Sequence, residues 1–162
     1  MFEKLFAALQ AAPWADAISE STWMFPTIET LHVLALTLVV GSIMVVDLRL
    51  LNLASRKRPV RELVNEVLPW TWVAFACAAI TGSLLFSSAA TKYWGIWPFR
   101  AKMVLLMFAA LNMAVFHLGA YRGVAAWDRA PAVPPPAAKL AGGLSLLIWM
   151  GVIVLGRWIG FS

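Results

Sequence analysis

The chain contains two histidines, His32 and His117, and each falls in a stretch apolar enough to cross a membrane. An ionisable ring in hydrocarbon is costly unless a partner or a bound group offsets its burial, so both positions are functional hypotheses by default. Haem asks least of a protein in ligand count: one or two axial groups, commonly His, inside an apolar helical bundle. Two histidines on two different spans meet that requirement, which makes His32 and His117 the candidate iron ligands of haem b. The competing reading is that both rings only hydrogen-bond between or within helices, His32 to Glu29 or a neighbouring helix and His117 to Asn112 or a backbone carbonyl.

The neighbours of each histidine narrow the chemistry. Glu29 and His32 are spaced i, i+3 and share a helix face. A Glu-x-x-His pair suits a di-iron bundle only when a second such pair and further carboxylates are present, and the other apolar stretches lack acids. A proton relay through this one pair has no route across the membrane. On the third span Asn112 and Phe116 precede His117, and Tyr121 and Arg122 follow it. Four cations stand near span ends, where they fit haem propionates or simply mark the interfaces: Arg100 and Arg157 at one face, Arg49 and Arg122 at the other. Met103 and Met107 near the first face, and Met44 near the second, are candidate second axial groups or plain apolar filler. A water or a neighbouring subunit is a further source of that ligand.

The elements that must hold these residues are membrane helices. With 62% hydrophobic and 13% charged residues and a mean hydropathy of +0.80, the chain has too little polar surface for a soluble domain. Four apolar runs, at about 28–46, 68–87, 103–121 and 140–159, are each long enough to cross ~30 Å of hydrocarbon. The second is the most diluted, by Thr71, Thr81, Gly82 and Ser83. The predicted architecture is all-α: one integral membrane domain over 1–162, a four-helix bundle with a short interfacial helix at its N-terminus. Lone Cys77 excludes a disulfide framework. In residues 1–10, Phe2, Leu5, Phe6 and Leu9 repeat at helical spacing, as in a helix lying on the bilayer rather than a cleaved leader. Pro13 would end that helix, and Ser21 or Thr22 would cap the next. Pro26, Pro69 and Pro98 stand near span beginnings, and residues 130–136 read as a stiff, proline-rich connector.

Charge sets the expected orientation. Eight basic residues flank one side, Arg49, Arg56, Lys57, Arg58, Arg61, Arg122, Arg129 and Lys139, against Lys4, Lys92, Arg100, Lys102 and Arg157 on the other. The positive-inside rule then places both termini outside the cytoplasm, on the periplasmic side of a bacterial inner membrane. The net charge of +5 is thus a topology signal and argues against a nucleic-acid partner. Trp23, Trp94, Trp97 and Trp158 form one expected interfacial belt and Trp70, Trp72 and Trp127 the other, leaving Trp149 mid-span to pack. In this map His32 sits near the outer face and His117 near the inner, about ten residues apart in depth, or ~15 Å. Two rings so separated cannot face each other across one iron, so each needs its own partner. Asp47 and Arg49 close the first span, where Asp47 is expected to reach Arg122 or another basic loop residue. Rows at four-residue spacing, Ala74, Ala78 and Gly82 on the second span and Gly143, Leu147 and Gly151 on the fourth, followed by Gly156 and Gly160, mark close helix approaches within the bundle or between subunits.

The stretch Glu29-Thr-Leu-His32, continuing through Gly41-Ser42 to Asp47-Leu-Arg49-Leu-Leu51, resembles the first span of an uncharacterised family of small bacterial inner-membrane proteins with four helices. Phe99-Arg100-Ala-Lys102-Met103, then Asn112 with Phe116-His117, and Gly156-Arg157-Trp158-Ile159 match its later parts in order. The resemblance spans nearly the whole chain and implies the four-span fold, the family being a domain of unknown function. A looser likeness to b-type cytochromes is one of fold only. The leading expectation is a haem b protein passing electrons within or across the bilayer, with quinone or a redox protein as partner, in a homo-oligomer or a membrane complex. Its rival is a structural or accessory subunit without a cofactor. A small transporter or channel fits less well, because the second span lacks charged residues.

Overall fold

In the computed structural model, which describes residues 2–128 and 133–162, helix dominates. Helix α1 covers Phe2–Gln10 and α2 covers Pro13–Glu20. The long helices are α3 (Met24–Leu50), α4 (Val60–Ser88), α6 (Trp97–Leu118) and α8 (Pro136–Ile159). Short helices α5 (Ala90–Gly95) and α7 (Val124–Trp127) join them, the latter after a 3₁₀ turn at Ala120–Gly123. The four long helices are long and apolar enough to span a bilayer, and a four-helix bundle is the fold. Arg129 and residues 130–132 of the proline-rich connector lie outside the described residues.

The helices run beyond the apolar runs at their beginnings, because backbone hydrogen bonding can continue through a flank that stays outside the hydrocarbon. Pro98 takes an opening position of α6, where a missing N–H costs nothing. Pro69, by contrast, lies inside α4, which begins nine residues earlier at Val60. At the start of α3, Ser21 Oγ accepts the Met24 N–H at 3.1 Å. Helix α1 does more than lie on a surface: Phe6 packs on Phe86 and Trp94 at 5.5 and 5.1 Å between ring centres, and Gln10 Oε1 accepts from Thr91 Oγ1 at 2.7 Å.

Two hairpins make the bundle. Helix α3 packs along α4, α6 packs along α8, and α3 against α8 joins the pairs, while α4 and α6 scarcely meet. Lipid tails are as apolar as leucine, so such contacts rest on close van der Waals fit, which small residues permit. Ala74 and Ala78 are buried, and Gly82 continues their row along α4. Between hairpins, a Cβ at Gly142 would stand 3.1 Å from the Asp47 carbonyl oxygen and from Leu50 Cβ. The glycines of α8 do not form one stripe: Gly151 faces Leu105, whereas Leu147, on the same row, is 71% exposed. Val39, Ala74, Trp149 and Val152 close the middle of the bundle, so Trp149 packs as expected of a mid-span indole.

At the face opposite the termini a polar latch ties three segments. Asp128, just after α7, accepts the Val60 and Arg61 N–H groups at 2.7 and 2.8 Å, capping α4 from 68 and 67 residues away. Buried Arg49 donates through Nε to the Arg58 carbonyl at 2.8 Å and approaches Asp128 at 3.9 Å. Outside it, Arg58 bonds Glu62 and Glu66, and these two acids hold its guanidinium pKa above the ordinary arginine range.

Candidate functional site

His32 sits at the α3/α4 interface in the half of the bundle that carries the termini. Its Nδ1 lies 3.0 Å from Thr81 Oγ1, and the Thr81 hydroxyl donates its one hydrogen to the Cys77 carbonyl at 2.7 Å. Thr81 can therefore only accept from the ring, so Nδ1 carries the proton and Nε2 is left with its lone pair. The ring lies over Gly82, where a Cβ would stand 2.9 Å from His32 Cε1. Across the bundle, Lys102 of α6 is close enough for its charge to act on the ring. Its Nζ lies over Gly156 of α8, 3.5 Å from where a Cβ would be. Four helices thus contribute His32, Thr81 with Gly82, Lys102 and Gly156 to one layer. Lys102 makes no ion pair with any described residue.

His117 occupies a different layer. Its Nδ1 lies 2.9 Å from the Met113 carbonyl oxygen, which only accepts, so here too Nδ1 is the protonated nitrogen and Nε2 is free. The ring stands in the wall of a cavity of about 340 Å³ that draws its lining from all four long helices. Most of that wall is aliphatic or aromatic, including Trp72, Phe75, Phe116 and Trp149. Small Ala109, Ala110 and Ala141 leave space that larger side chains would fill. Trp72, Phe75 and Met113 are also 51%, 43% and 42% exposed, so the cavity opens sideways where α4 and α6 part.

The polar part of this wall is sparse. Thr71 Oγ1 donates to Ser42 Oγ at 2.8 Å, and Asn112 Nδ2 to the Ala141 carbonyl at 3.0 Å. Asp47 is 5% exposed. Ser145 of α8 stands within hydrogen-bonding reach of its carboxyl, but Oδ2 has no partner. The tie from Asp47 to Arg122 does not form: Arg122 is exposed, and fastening falls to Arg49 and Asp128.

The two histidines are not brought together. Lys102, beside His32, precedes His117 by 15 residues on α6, which places the rings roughly 20 Å apart along the bundle. Glu29 is exposed and makes no described hydrogen bond to His32; its charge acts instead on Tyr93, whose phenol is pushed up first by burial and then by that carboxylate. The hydrogen-bond partner of His32 is the neighbouring helix. Arg100 is exposed, and Arg157 lies over the Phe161 ring at 4.7 Å. Met44 and Met107 are exposed, at 44% and 73%. Three residues matter more than their sequence context announced. Thr81 reads as one of several scattered hydroxyls, Lys102 as a marker of the interface, and Asp47 as a tether. The available signal was that Asp47 and Lys102 are charges set inside helical, predominantly apolar segments.

The family model for DUF6644, a family of unknown function, matches residues 22–162, and the chain belongs to this family. Comparisons with curated proteins and with solved structures find no match.

Proposed function

We propose that this protein is a haem b electron-transfer protein of the bacterial inner membrane, with both termini in the periplasm and membrane quinone as its redox partner. The observation that carries the reading is the contact of His32 Nδ1 with Thr81 Oγ1. The ring's Nδ1–H is held by Thr81, which leaves Nε2 as a neutral, oriented donor to iron, the arrangement by which ligating histidines are aimed and made more basic. One residue near it suits the group: the Lys102 ammonium has the charge to meet a propionate, while Gly82 and Gly156 make room for the imidazole and for Lys102 themselves. Bound haem would supply one-electron chemistry in an apolar setting. His32 would ligate and orient, and Lys102 would hold the carboxylate end. His117 has the same free Nε2, and a second haem there is the competing use of the inner cavity.

The test is the visible spectrum of the full chain, purified in mild detergent after expression with ample haem. A Soret band that is lost in His32→Ala and kept in Glu29→Gln supports the reading. A colourless preparation overturns it and favours an accessory subunit, in which the hydrogen bonds of both rings are their whole role.

A further inference from the structure

We propose that the face opposite the termini binds the headgroups of anionic phospholipids, with the loop between α3 and α4 as its seat. This surface is independent of any cofactor at His32.

The acids of this face are Asp47, Glu62, Glu66 and Asp128, and each is already taken up. Asp47 is buried, Asp128 caps α4 and lies against Arg49, and both glutamates bond Arg58. Against them stand Arg56, Lys57, Arg61 and Arg122, all exposed, and the partly buried Lys139. None of these five makes an ion pair with a described residue. Arg122 and Lys139 directly adjoin the apolar runs of the third and fourth spans, which sets them at the depth of lipid headgroups. Clusters of cations next to span ends attract anionic lipid. The other face carries no such excess, because Glu3, Asp16, Glu20 and Glu29 there nearly match Lys4, Lys92, Arg100, Lys102 and Arg157.

The loop that presents Arg56 and Lys57 is fixed by its own hydrogen bonds. The Leu53 and Ala54 N–H groups both return to the Leu48 carbonyl, at 2.9 and 3.2 Å, and the Arg58 N–H to the Ser55 carbonyl at 2.9 Å. Arg49 Nε holds the Arg58 carbonyl at 2.8 Å. Within this frame Asn52 and Ser55 take φ of 59° and 52°, a left-handed conformation that non-glycine residues rarely adopt. Such conformations persist where the surrounding structure dictates them, and they cluster at functional sites. The outward side chains of the loop are Leu53, 64% exposed, and the two cations. An apolar side chain beside cations suits the boundary between acyl chains and phosphates. A soluble phosphate or an acidic peptide would leave Leu53 in water. A zwitterionic lipid brings its own cation beside the phosphate, so a lipid of net negative charge is the better match.

The experiment is native mass spectrometry of the full chain released from mild non-ionic detergent, with dioleoylphosphatidylglycerol and dioleoylphosphatidylcholine added in equal amounts. Phosphatidylglycerol is expected to be retained about fivefold more, and less so as ammonium acetate is raised, because exposed charges are screened by salt. Arg56→Gln/Lys57→Gln should remove most of that preference. Lys4→Gln/Lys92→Gln, which takes the same charge from the other face, should keep it. Arg61→Gln/Arg122→Gln repeats the test away from the loop and should also lower it, with far-ultraviolet circular dichroism confirming the helical fold of each variant. Equal retention of the two lipids overturns the proposal, since the cations would then serve only to orient the chain. Equal loss in the Arg56/Lys57 and Lys4/Lys92 variants overturns it too, because net charge and not this face would be responsible. Displacement of the lipid by an equal concentration of glycerophosphoglycerol would make the site one for soluble phosphate, and stronger retention of hexaglutamate would make it one for an acidic protein; either overturns the lipid assignment. The Soret band does not enter the measurement, so a colourless protein leaves this surface intact, and equal lipid retention leaves the haem reading intact.

Discussion

Each histidine sets its Nδ1 against a protein oxygen, Thr81 Oγ1 for His32 and the Met113 carbonyl for His117. For His32 the arrangement rests on the Thr81 hydroxyl, whose hydrogen is already given to Cys77 so that its oxygen can only accept, with the Ala78 carbonyl as a second acceptor within reach of the ring. Thr81→Val keeps the shape and removes the acceptor. If His32 ligates haem, this variant should lower haem affinity about 10- to 100-fold, the usual effect of removing a partner that orients a ligand. Haem retained per chain after dialysis against apomyoglobin measures it, with Thr37→Val as the control. Gly82→Ala should act on the same ring by crowding, since its Cβ would stand 2.9 Å from Cε1. A Soret band unchanged in position and intensity in Gly82→Ala would show that the ring does not need its place over the glycine. The histidines themselves were legible from residue type and hydropathy. Their tautomers were not, because Thr81 is 49 residues from His32 and only the α3/α4 packing brings them together. Asp47 illustrates the same limit: a charge at the end of a span reads as a tether until the neighbouring helix shows where the carboxyl points.

Among the elements, α4 is held in place most directly by a residue far from it. Its first N–H groups are capped by Asp128, and the same carboxylate is the charge nearest buried Arg49. Replacing such a cap by Ala costs typically ~1 kcal/mol, and removing one partner of a buried ion pair costs more, about 3–5 kcal/mol. With the Arg49 to Asp128 approach at 3.9 Å, Asp128→Ala is expected to destabilise the protein by about 3 kcal/mol. Asp128→Asn, which keeps an acceptor, should lose less. Denaturation in mixed detergent micelles, followed by far-ultraviolet circular dichroism, gives the comparison; equal stability of Asp128→Ala and wild type would mean that the latch contributes nothing. Helix lengths also differ from the hydropathy of the sequence in a simple way. The apolar run on α4 starts at about 68 but the helix starts at Val60, because backbone hydrogen bonding tolerates Arg61, Glu62, Asn65 and Glu66 in its opening turns. Pro69 is consequently a mid-helix residue, although it stands at the beginning of the apolar run.

At the scale of the whole molecule the two hairpins leave a lateral opening between α4 and α6. In the orientation proposed from charge bias, the cavity would lie in the cytoplasmic leaflet and the His32 layer in the periplasmic one. The orientation is checked by replacing Cys77 with Ala and introducing Ser55→Cys or Ser162→Cys. A membrane-impermeant maleimide added to spheroplasts should label position 162 and leave position 55 unlabelled until the membrane is broken. Labelling of position 55 alone would invert the protein, and labelling of both would break the four-span topology.

Residue types along the chain were sufficient for the number of spans, for the expected direction of each helix, and for the separation of the histidines into two depths. Hydropathy, charge bias and helical rise are properties of each segment against its solvent, and the bilayer is the same solvent for all four. Which side chains meet is a different matter. The layer of His32, Thr81 and Lys102, the cavity wall that joins His117 to Asp47, and the latch from Asp128 to α4 each draw residues from helices far apart in sequence. Close packing of particular faces decides those meetings. The gap between α4 and α6 is likewise a property of the assembled bundle, since it depends on a contact that neither helix encodes by itself.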